Sequence, residues 1–154
     1  MNSSKRNWLV AGAGAAAAVA IAVPLMLAPA DATTTTTSLV ANMDGPSETP
    51  PGDPNGTGQA LVFSHESEPG VLCYVIFVDQ IGTPNAAHIH PGAAGAVNPP
   101  VVPLKTPTNG HSAGCAQTRE RLVARILANP QNFYINVHNV RFPGGAVRGQ
   151  LATN

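Results

Sequence analysis

Three histidines carry the clearest chemistry in this chain. His88 and His90 form an H-x-H pair, and His138 lies fifty residues further on. In a strand, successive side chains point to opposite faces. His88 and His90 then share one face, with Ala87 and Ile89 on the other. In Asn132–His138 the residues Phe133, Ile135 and Val137 make an apolar stripe, and Tyr134, Asn136 and His138 make the opposite one. With the apolar stripes in a core, all three imidazoles face outward and can converge beneath covering loops. Neutral imidazole is a good ligand for copper and zinc. A rigid H-x-H pair and a third histidine can hold such an ion and leave a position open. The competing reading has the same rings bonded to loop carbonyls or lining a polar contact.

Other reactive residues are sparse. His65 and His111 fall in loops and read as surface residues. Arg148 alternates with Val147 and so points away from the core, as a solvent-facing arginine or as a group that binds an anion or orients a ligand. Asp79 and Glu120 stand alone, with no paired carboxylates for acid–base work. There is no G-x-S-x-G elbow and no phosphate-cradling loop. Asn55-Gly-Thr57 matches a glycosylation acceptor, relevant only on a eukaryotic secretory route. The chain has two cysteines, Cys73 and Cys115. In an oxidising compartment a pair is expected to bridge. A bridge spanning 42 residues stabilises by at most about 4 kcal/mol through loop closure. The alternative, two metal thiolates, lacks close C-x-x-C spacing.

The elements that must position these groups are short strands. Ser38–Met43 and Gly58–Ser64 read as the first two, separated by a Pro- and Gly-rich loop. Val71–Val78 is apolar throughout and rich in β-branched and aromatic residues. Asn85–His90 follows and ends at Pro91-Gly92. Val101–Leu104 carries an internal proline, which suits an edge. Lys105–Gln117 reads as irregular. Thr118–Ala128 is the one helical stretch, with Thr118 as cap and Leu122, Val123, Ile126 and Leu127 on one face. Asn132–His138 and Ala146–Leu151 close the list around the turn Pro143-Gly144-Gly145. The pattern predicts an all-β sandwich with one short helix.

The first 32 residues differ from the rest. Lys5 and Arg6 precede an uncharged Ala-, Val-, Leu- and Gly-rich run over Trp8–Leu27, and small-x-small patterns follow at Ala28–Ala30 and Ala30–Ala32. This is the layout of a cleavable secretion signal. An uncleaved anchor is the alternative, since about 20 apolar residues can span a bilayer. The division is a signal peptide over 1–32, a Thr-rich linker over 33–37 and one domain over 38–154. After Ala32 there are six basic and seven acidic side chains, a net of minus one. No basic field exists for nucleic acid or anionic lipid. The mature protein is expected to be secreted or held in the periplasm or cell envelope, without stable membrane insertion, where it meets an extracellular or envelope ligand.

Ala87-His-Ile-His-Pro-Gly-Ala-Ala-Gly95, Pro100–Leu104, Phe133–Asn139 and Phe142-Pro-Gly-Gly-Ala-Val-Arg-Gly-Gln-Leu151 together resemble the CHRD domain, a module first described in chordin and widespread in bacterial secreted proteins. The resemblance covers roughly Ser38 to Ala152, and the Cys73 and Cys115 pair also fits bacterial members. In chordin such domains accompany the regulation of secreted growth factors, so the resemblance implies a module rather than a reaction. His88, His90 and His138 are also similar in placement to the histidines outside the Greek-key barrel of copper/zinc superoxide dismutase. No bridging histidine, zinc cluster or long electrostatic loop accompanies them here. The expected fold is therefore a Greek-key-like β-sandwich of superoxide dismutase or immunoglobulin type. Three functions follow. One is a non-catalytic binding module holding one copper or zinc ion through His88, His90 and His138. The second is a mononuclear copper redox enzyme. The third is a structural or adhesive envelope protein without metal.

Overall fold

The computed structural model describes residues 35–154, and the signal-peptide reading over 1–32 lies outside the described residues. Among the described residues nine strands run in chain order as β1 (Thr36–Asp44), β2 (Thr57–His65), β3 (Val71–Asp79), β4 (Pro84–Pro91), β5 (Val102–Leu104), β6 (His111–Gln117), β7 (Phe133–Asn139), β8 (Val147–Gln150) and β9 (Ala152–Thr153). One helix, α1 (Glu120–Ala128), and a short 3-10 turn at Pro130–Asn132 join β6 to β7. The hydrogen-bonded order is β5-β4-β7-β8-β1-β2-β3-β6, antiparallel throughout, with β9 also on β1.

The order curls into a nearly closed, sandwich-like shell. The β1–β8 seam is held by a single ladder pair, Asp44 with Arg148. The β5 and β6 edges approach without a ladder, and the Lys105 backbone N–H just beyond β5 donates to the β3 hydroxyl of Tyr74 at 2.7 Å. The chain crosses between the two halves after β3, after β5 and after β6. Strand β6 thereby lies beside β3 and β7 beside β4, the Greek-key arrangement.

Alternation explains the core. Leu39, Ala41 and Met43 of β1, Ala60 and Val62 of β2, and Leu72, Tyr74, Ile76 and Val78 of β3 point inward. They meet Ala87 and Ile89 of β4 and Phe133, Ile135 and Val137 of β7. At about 25 cal/mol per Å² of apolar surface removed from water, this stripe-on-stripe packing dominates the folding energy. Val123 and Ile126 of α1 join the same core.

Several boundaries differ from the sequence reading. Strand β1 begins at Thr36, two residues before Ser38. The helix begins at Glu120 with Arg119 as its cap, not Thr118. The Thr118 backbone N–H instead donates to the Gly70 carbonyl at 2.9 Å, continuing the β3–β6 pairing past its formal end. Leu122 and Leu127 only flank the core, while Val123 and Ile126 enter it. The segment read as irregular contains β6. Its small residues, Ser112, Ala113, Gly114 and Ala116, give no apolar period, and Gly114 is where the Tyr74 ring passes against the backbone. His65 and His111 lie at strand ends rather than in loops. His65 closes β2 and contacts the Thr36 hydroxyl at 2.8 Å, and His111 opens β6 and stacks on Phe77. Cys73 and Cys115 face each other across β3 and β6 and form a disulfide.

Candidate functional site

Strands β4 and β7 are neighbours, with His88 opposite Asn136 and Ala86 opposite His138. This register puts the H-x-H pair beside the outward stripe of β7. The three imidazoles converge as the alternation predicts, and their ligand atoms lie within 4.8 Å of one another. Among the described residues this is the one group of three or more His, Cys, Asp or Glu side chains able to hold a metal ion.

The hydrogen bonds fix which nitrogen faces inward. His90 Nδ1 is 2.7 Å from the Asn98 carbonyl oxygen, and His138 Nδ1 is 2.9 Å from that of Pro143. A carbonyl can only accept, so each Nδ1 carries the hydrogen and each neutral ring presents an Nε2 lone pair inward. His88 presents Nδ1, 3.2 Å from His138 Nε2. Asn136 Oδ1 lies 3.0 Å from both His90 Nε2 and His138 Nε2. Its amide nitrogen is turned toward Glu48, a carboxyl that needs a donor. Three atoms that can only accept therefore meet, and His88 Nδ1 is the one atom beside them that can bring a hydrogen while the rings stay neutral. His90 Nε2 and Asn136 Oδ1 face each other as two acceptors.

A buried polar layer supports the rings. The loop 92–100 covers β7, so both faces of that strand are enclosed. Arg148 is buried, at 2% exposure, where the alternation suggested a solvent-facing arginine. Its Nη1 donates to the Ala96 carbonyl at 2.7 Å and its Nη2 to that of Ala93 at 3.0 Å. The guanidinium carbon sits 3.4 Å from the Tyr134 ring centroid, and Tyr134 stacks on His90. Arg148 thus pins the loop whose Asn98 carbonyl orients His90. It does not face solvent because the loop and Tyr134 close over it.

Glu48 comes from the β1–β2 loop and is 5% exposed, with no partner for Oε1. Gly145, at φ +145°, presses its backbone against this carboxyl where a side chain would collide. Burial raises the Glu48 pKa above the usual carboxylate value, opposed by the Asn136 amide, the Arg148 charge and the Thr49 backbone amide. Burial lowers the pKa values of His88 and His138. The neighbouring imidazoles add to this, while the Pro143 carbonyl resists it at His138. The lowering favours the neutral form of His88 and His138, the state in which imidazole ligates.

Sequence reasoning placed Tyr134 and Asn136 on the histidine stripe without giving either a role. Glu48 and Asn98 were missed. Glu48 and Asn98 arrive from loops, where no periodicity marks direction.

A family model described as the CHRD domain matches residues 39–151. No curated protein and no solved structure matches the chain.

Proposed function

This chain belongs to the CHRD domain family, and from that premise we propose that it is an exported binding module that holds one copper or zinc ion through His88 Nδ1, His90 Nε2 and His138 Nε2. One observation carries the reading. His90 and His138 each spend their hydrogen on an outer carbonyl and turn a lone pair toward Asn136 Oδ1. Neutral acceptors at 3.0 Å repel unless a cation lies among them. Carbonyl contacts to the far nitrogens are also how metal-ligating histidines are commonly oriented. Imidazole nitrogen suits copper and zinc over magnesium or calcium. His88 and His138 are half-buried, which leaves a solvent-facing side where a further ligand can approach. The disulfide agrees with an oxidising compartment.

The test is calorimetric titration of chelator-stripped protein with Cu²⁺ and with Zn²⁺, beside His138→Ala and a triple His88→Ala/His90→Ala/His138→Ala variant. The expected result is close to one equivalent bound, weakened in the single variant and lost in the triple. Wild-type binding no tighter than that of the triple variant would overturn the reading. The single variant, at a half-exposed position, keeps the test meaningful if the triple folds poorly.

A further inference from the structure

The helix α1 divides its charges between two sides. Glu120 borders a cleft with His65, Glu66, Val123 and Leu127. The opposite side is a cleft of about 670 Å³ lined by Val101, Thr118, Arg119, Arg121, Leu122 and Arg125. Three of the six cations after Ala32 therefore gather in one concave surface of a protein whose net charge there is minus one. Among the described residues no carboxylate comes within ion-pair distance of these guanidiniums. Arg121 and Arg125 are four residues apart on the helix, about 6 Å between their Cβ atoms, a spacing at which like charges repel. Arg125 is also stationed over the Phe133 ring, 5.9 Å from its centroid, so that its planar group is backed by an aromatic face. Val101 and Leu122 add apolar wall beside the three charges.

We propose that this cleft is a binding site for a multivalent tetrahedral oxyanion, a phosphate or sulfate group carried on a small molecule or along a polymer. The site is separate from the histidine cluster and does not depend on the metal reading. All three cations are arginine rather than lysine. The guanidinium fork bonds an oxyanion through two parallel N–H donors, where an ammonium acts as a point charge. An anion set between Arg121 and Arg125 converts their mutual repulsion into attraction. Arg121 and Arg125 lie on one short helix and Arg119 is its cap, which supplies the spacing without ordering a loop. The exposed setting calls for several charges on the ligand, since single surface ion pairs contribute little in water.

The experiment uses the purified full chain, freed of metal on a chelating resin, at low and at physiological salt. Calorimetry with tripolyphosphate reads the small-molecule source, and calorimetry with dextran sulfate reads the polymer source. Saturable binding of either probe supports the site when it weakens at least tenfold in Arg121→Ala/Arg125→Ala, falls with added salt and is unchanged in Lys105→Ala. Tripolyphosphate alone assigns a free oxyanion; dextran sulfate alone, or both, assigns a charged chain. Both arginines are exposed, so the double variant is expected to keep the wild-type urea midpoint. Absence of binding to both probes at low salt would overturn the proposal, as would equal affinity in the double variant.

Discussion

The imidazole of His90 lies flat on the ring of Tyr134, with centroids 4.8 Å apart and planes 7° from parallel. The Arg148 guanidinium covers the other face of that ring. A candidate ligand is thereby tied through one aromatic side chain to a buried cation. The same cation holds the loop that orients the ligand's far nitrogen. Orientation and burial of His90 come from one stack.

Arg148→Met should therefore act on both stability and metal affinity. It strands the Ala93 and Ala96 carbonyls and leaves Glu48 without its nearby positive charge. Each buried carbonyl left without its donor costs about 1 to 3 kcal/mol. Loss of the support behind a metal-ligating histidine lowers affinity by about 10- to 100-fold. Urea unfolding and calorimetry measure the two effects. An unchanged affinity in a folded variant would show that the stack does not position His90.

Metal should stabilise the native state by mass action. At free metal one hundred times Kd the gain is about 2.7 kcal/mol. For a domain of this size that raises Tm by about 10 °C, using the average unfolding entropy per residue. Differential scanning calorimetry with and without chelator reads it. The gain should vanish in the triple histidine variant.

Acid should weaken the metal-free protein through the same rings. His88 and His138 are held below the ordinary value of 6.5. As pH falls through about 6.5, the unfolded chain takes up protons that the folded chain refuses. Their contribution is full above 6.5 and is lost as pH drops through the folded values. Glu48 has the opposite sign. Its pKa is raised above 4.5, so its contribution is full below 4.5 and is lost as pH rises through the folded value. Glu48→Gln, stripped of metal, removes the opposing Glu48 contribution. Its urea midpoint should be lower at about pH 5 than at about pH 7.5, and a flat profile there would contradict the burial of these rings.

Removing the disulfide should loosen one strand before the rest. Strand β6 ends the hydrogen-bonded order, and β3 is its one ladder neighbour. Cys73→Ala/Cys115→Ala is expected to cost up to about 4 kcal/mol. Amide hydrogen exchange should accelerate most over His111–Gln117. Uniform acceleration through β1, β4 and β7 would instead mean that the bridge acts on global unfolding alone.

Local patterning in the sequence determined the strand stripes, the choice of interior faces and the common outward side of His88, His90 and His138. A period of two converts residue type directly into direction, so these features needed no knowledge of neighbours. The Cys73–Cys115 pairing was legible from the count of two. Tertiary structure alone decided what lies over the outward face. The loop 92–100 closes on β7, buries Arg148 and brings the Asn98 carbonyl to His90; Glu48 reaches Asn136 from a loop almost ninety positions earlier. Strand β6 likewise exists because β3 offers its edge to a run of small residues with no period of their own. Loops carry no repeating geometry, so their destinations follow from long-range packing, and the environment of a charged or ligating side chain is set by whatever that packing places above it.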